Sequence, residues 1–68
     1  MSKQEARALA RQGKKMQHIT FADDEYIYHD IKGRLRDEHG NILDEDDFWF
    51  YRRNECFDSE WGYYQGKN

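Results

Sequence analysis

The sequence predicts an α+β fold, in which one N-terminal helix packs on a small, mainly antiparallel sheet of about four to five short strands. Two observations carry that expectation. The first thirteen residues hold a complete helix start and stop, and the rest alternates between period-two aromatic or β-branched segments and polar turns. The 68 residues contain no Pro, no repeat and no linker-like stretch, so a single small domain over residues 1–68 is expected.

Ser2 and Glu5 form a capping box, in which each side chain satisfies a backbone N–H that the first helical turn leaves open. Ala6, Leu9 and Ala10 lie on one stripe at helical spacing, and Gly13 supplies a left-handed stop. A helix over about 3–12 follows. Its apolar face is small, so it needs a sheet to pack on.

Strands are then expected over about 15–21, 26–31, 34–36, 48–53 and 61–65. In the first, Ile19 and Phe21 alternate with His18 and Thr20. In the second, Tyr26 and Tyr28 share one face, and Ile27 and His29 the other. Lys32-Gly33 turns the chain, and Glu38 to Asn41 reads as a hairpin loop. The acidic run Asp44 to Asp47 suits a helix N-terminus, which favours carboxylates, whereas Phe48 to Tyr51 has aromatic β character. The expectation is a short helical turn at 44–48 that runs into the strand at 48–53. Residues 54–60 read as a loop.

Core material is unusual. Three Leu, four Ile, four Phe and no Val are few for a folded chain, but eleven aromatic residues each bring up to about 150–250 Å² of buried area. The core is therefore expected to be aromatic. So small a core commonly needs a staple or a partner chain, and the single cysteine, Cys56, rules out an internal disulfide. A homo-oligomer is the expectation. The polar N-terminus and the lack of a long apolar run point away from a signal peptide or a membrane span, so a cytoplasmic location is expected.

Candidate chemistry is thin. Glu55 and Asp58 flank Cys56 and disfavour its thiolate, so a small, at least semi-buried, unreactive thiol is expected. His18, His29 and His39 are widely spaced and lack the paired-ligand pattern of zinc sites. Asp37 to Asp47 does not fit a calcium-loop pattern, and no glycine-rich phosphate loop is present. No cofactor and no enzyme activity are expected.

Charge is uneven. Residues 1–15 carry a balance of +4, and the remainder carries −7. Lys3, Arg7, Arg11 and Lys14 form a basic row on the helix, but an acidic chain as a whole repels phosphate, so direct nucleic-acid binding is not expected. The row would be solvated or would pair with the acidic segment of another copy.

The aromatics are the strongest functional signal. On a strand, Phe48 and Phe50 would face one way, and Trp49 and Tyr51 the other, so not all can enter one core. Tyr and Trp dominate binding hot spots. The candidate binding residues are therefore Tyr26, Tyr28, Arg34, Trp49, Tyr51, Trp61 and Tyr63. A second candidate surface is acidic, formed by Asp37, Glu38, Asp44, Glu45, Asp46 and Asp47.

Several short motifs recur together: E-A-x-x-L-A-x-x-G-K-K from Glu5 to Lys15, Asp24 to Ile27, the turn Asp37 to Asn41, and the pair Glu60-Trp61. This layout resembles small accessory proteins of tailed phages and prophages, and is distantly similar to the Thoeris anti-defence sponge family. That family sequesters a cyclic ADP-ribose-type signal in pockets between subunits. Here His18 and Phe21 stand where the family tends to have a basic residue and Trp. The resemblance implies a phage-type accessory protein with interfacial binding, acting in the host cytoplasm. The expected function is non-enzymatic binding of a host protein or a small nucleotide-like ligand, possible as an anti-defence device. Its rivals are an acidic inhibitor that mimics nucleic-acid phosphates, and a structural or assembly protein.

Overall fold

The computed structural model describes residues 1–66. It is a small α+β fold with one main helix, α1 (Lys3–Arg11), on a four-stranded antiparallel sheet. The strands are β1 (Met16–His18), β2 (Ile27–His29), β3 (Leu35–Asp37) and β4 (Trp61–Tyr63), in the spatial order β3-β2-β1-β4. A short second helix, α2 (Glu45–Phe50), and a 3₁₀ turn at Glu55–Phe57 complete the chain. No helix among the described residues is long and apolar enough to cross a membrane.

α1 forms for the reasons its ends announce. The Ser2 hydroxyl accepts the Glu5 N–H at 3.1 Å, and the Glu5 carboxylate accepts the Ser2 N–H at 3.2 Å. The Ser2 N–H and hydroxyl, both donated to that carboxylate, hold the Glu5 carboxyl below the usual carboxylate range. At the far end Gly13 adopts φ +90°, while Lys14 N–H reaches the Leu9 carbonyl and Gly13 N–H reaches that of Ala10. This is the paired-bond stop that a left-handed glycine permits.

The register fixes which residues face α1. Met16 pairs with Ile27 on one side and Tyr63 on the other, His18 with Trp61, and His29 with Leu35. Met16, His18, Ile27, His29, Leu35 and Trp61 are all buried with Ala6 and Ala10. Trp61 is the hub. Its ring contacts those of His18, Phe21, Trp49 and Phe57, and its Nε1–H donates to the Phe57 carbonyl at 2.7 Å.

Three sequence expectations are corrected. The strand at 48–53 is absent, because α2 runs through Phe50 and ends in a turn. Asp44 Oδ1 caps the Asp47 N–H at 2.9 Å, and Glu45, Asp46 and Asp47 sit where the helix dipole favours them. Helical geometry also lets the consecutive residues Phe48 and Trp49 both enter the core, which strand alternation forbids, and leaves Phe50 and Tyr51 exposed. The first strand is shorter than 15–21 and inverted in phase: Met16 and His18 point inward, and Ile19 is 72% exposed. Cys56 is exposed, because the 3₁₀ turn sends Phe57 inward instead.

The inversion has a tertiary cause. His18, 1% exposed, is fully bonded: its Nε2–H donates to the carbonyls of Cys56 and Ser59 at 2.8 and 2.9 Å. Its Nδ1 lies 2.9 Å from the Thr20 hydroxyl and accepts the Thr20 N–H at 3.2 Å. Carbonyls only accept, so Nε2 carries a proton, while Nδ1 accepts from the Thr20 N–H. One imidazole thus ties the 54–60 segment to the sheet.

Candidate functional site

Both helices lie on one side of the sheet, so the other side is open. Met16 and Ile27 face α1, so strand alternation turns their neighbours Lys15, Gln17, Tyr26 and Tyr28 to the opposite side. Gly62 lies across from Gln17, and Arg36 across from Tyr28. Tyr64, one residue beyond β4, continues this face and donates its N–H to the Lys15 carbonyl at 2.9 Å.

The face is an aromatic cluster with charged ends. The Tyr26 ring lies 4.5 Å from that of Tyr64 and 6.0 Å from that of Tyr28, and Lys15 Nζ sits 4.9 Å above the Tyr26 ring. All three rings are partly exposed. Gly62 interrupts the row, and a Cβ built there meets nothing within 4 Å, which leaves a shelf beside the rings. Two shallow depressions of about 270 and 390 Å³ meet on this side at Gln17 and Ile19. Gln17 is immobilised, because its amide N–H₂ faces the carbonyls of Ala22, Asp23 and Glu25 at 2.9–3.2 Å.

Two arginines are fixed at one end by Asp30. Its Oδ2 accepts Arg36 Nε at 2.6 Å and Arg34 Nε at 3.0 Å, while its Oδ1 accepts the N–H groups of Lys32 and Arg34. The Arg36 bond, with the backbone and side chain of Arg34, holds the Asp30 carboxyl far below the ordinary carboxylate range. The Arg34 side chain remains 44% exposed, with its guanidinium anchored through Nε. Such a fork is organised for a bidentate acceptor.

The structure divides the sequence-derived binding residues. Tyr26, Tyr28 and Arg34 share the open face. Trp61 and Trp49 are core residues, 4% and 7% exposed, and present no surface for a ligand. Tyr63 faces the helix side at the sheet edge, half exposed, and Tyr51 pairs with Phe50 at the end of α2. Tyr64, Lys15, Gln17, Arg36 and Gly62 were absent from the sequence-derived set. For Tyr64 a signal existed: alternation from a buried Trp61 puts it opposite the core.

The acidic surface is mostly committed to the fold. Asp37 Oδ1 accepts the His39 and Asn41 N–H groups. Burial acts to raise its carboxyl, but these bonds prevail and hold it below the ordinary range. Glu38 is only 17% exposed, Asp44 is the α2 cap, and Glu45 lies 3.4 Å from Arg11 and 3.5 Å from His29. Among the described residues, Asp46 and Asp47 keep their carboxylates directed to solvent. The basic row on α1 is likewise engaged, with Lys3 on Asp58 at 3.6 Å, Arg7 over the Trp49 ring and Arg11 on Glu45. A depression of about 700 Å³ along this helix is therefore lined by cations that already have partners.

Arg52 closes the end of the core. Its guanidinium stacks on Phe48 at 3.8 Å, and burial pushes its pKa down. No group of three or more His, Cys, Asp or Glu side chains among the described residues is arranged to hold a metal ion. No protein-family model, curated protein or solved structure matches the chain.

Proposed function

We propose that this is a non-enzymatic binding protein that holds a flat, nucleotide-like ligand on the open face of its sheet. The observation behind the reading is the contact cluster of Tyr26, Tyr28 and Tyr64, with Lys15 over one ring and the Arg34 fork at its end. Tyrosine rings offer stacking surface at low conformational cost, and a cation beside them suits an anionic group on the same ligand. His18, with both ring nitrogens bonded inside the fold, and the exposed Cys56 between carboxylates give no support to nucleophilic or acid–base chemistry. Action as a phage accessory protein in the host cytoplasm, against a defence signal, is the biological setting that the sequence motifs suggest. Phosphate mimicry by carboxylates is the weaker alternative, since the fold leaves it chiefly Asp46 and Asp47.

The test is an NMR titration of the full chain with nucleoside monophosphates and cyclic nucleotides. Shifts confined to Lys15, Gln17, Tyr26, Tyr28, Arg34 and Tyr64, lost in Tyr28→Ala with the fold intact, are expected. If no nucleotide perturbs these resonances, the reading fails.

A further inference from the structure

The open face is charged in opposite senses at its two ends. Lys15, Arg34 and Arg36 lie at the end where β1 and β3 begin, with Asp30 offsetting one of the three charges. Glu60 precedes β4 and so lies at the other end, where the loop between β1 and β2 adds exposed Asp24; Glu38, which follows β3, is mostly buried and adds little to the face. Tyr28 and Tyr64 lie in the same row as Arg36 and Lys15, Tyr26 and the Gly62 shelf lie between the ends, and exposed Ile19 lies beside Glu60.

From this arrangement we propose that the open face docks on the open face of a second copy. A two-fold axis running across the strands, between two facing sheets, reverses strand direction. It sets the basic end of each copy over the acidic end of the other and the tyrosines over tyrosines. The contact is isologous and closes at a dimer. Aligned sheets packed face to face are a common architecture, and both helices remain outside it. Size sets the strength. Four strands about 4.8 Å apart and three residues long make a paired face of roughly 19 by 10 Å. That is well below the roughly 800 Å² per partner of a stable interface, so the pairing is weak, reversible and salt-sensitive. Because the second copy covers the tyrosines, it competes with the proposed ligand. This last step alone rests on the reading of the face as a ligand site.

Sedimentation of the full chain tests the pairing. At low salt the protein is expected to pass from monomer to dimer below about 1 mM, and to weaken at least about tenfold near 0.5 M salt. Reversing one end by Lys15→Glu with Arg34→Glu, or the other by Asp24→Lys with Glu60→Lys, is expected to give monomers that pair again when mixed. Gly62→Phe, which enters open space without touching a charge, is expected to block pairing by bulk alone. A wild type that stays monomeric, or a dimer indifferent to all these changes, overturns the inference. A dimer that no nucleotide dissociates or binds removes the ligand reading and leaves the pairing. A monomer that binds nucleotides does the reverse.

Discussion

The two faces of the sheet use aromatic residues in opposite ways. On the helix side Trp61 and Trp49 meet at 5.3 Å, and their neighbours Phe21, Phe48 and Phe57 close over them. On the open side the rings are tyrosines, partly exposed, with cations and an amide between them. The first set replaces the aliphatic core that the composition lacks. The second stays partly exposed, and the proposed function sets a ligand on it. The lesson is that an aromatic-rich small chain can divide its rings between core and surface, and that only the register says which ring goes where.

That division can be broken at graded positions. Trp61→Ala should have the largest effect, a loss of about 3–5 kcal/mol that chemical denaturation would show as a chain unfolded or nearly so. His18→Ala comes next. It leaves two carbonyls short of a donor and should cost about 2–3 kcal/mol, with faster amide exchange across residues 54–60 as the local mark. Asp44→Ala should cost about 1 kcal/mol and fray α2, visible as reduced helical circular dichroism. Tyr28→Ala or Gly62→Val should stay within about 0.5 kcal/mol while abolishing binding at the open face. Equal losses from Tyr28 and Trp61 in the same melts would erase the distinction.

Acid sharpens the comparison further. Asp30 is held below its ordinary value, so the stability it contributes is complete above its unfolded pKa, about 3.9. That contribution declines as pH falls below this value toward the folded pKa. Asp30→Asn should therefore flatten this low-pH limb in pH-resolved melts and loosen the Arg34–Arg36 end of the open face.

The fold class was legible because its signals are local. The capping box, the Gly13 stop and the alternation of Tyr26 to His29 each act over a few residues. α2 was misread where two local signals disagreed: the β character of Phe48 to Tyr51 lost to the Asp44 cap and the acidic first turn. The phase of β1 was hidden for a different reason. A polar His18 enters the core only because carbonyls 38 and 41 residues further along receive it, and no window around residue 18 contains them. The candidate site was half legible. Tyr26 and Tyr28 follow from one strand's alternation, whereas Tyr64, Lys15 and Gly62 join them only through pairing between strands.

The Trp49–Trp61 contact has a practical side. These are the protein's only tryptophans, both are buried on the helix side of the sheet, and among the described residues the rings of the open face are tyrosines. Tryptophan emission, selectively excited, therefore reports on the interior alone, while tyrosine absorbance reports on the surface. Loosening of the core and occupation of the face become two separate optical channels in one unlabelled sample.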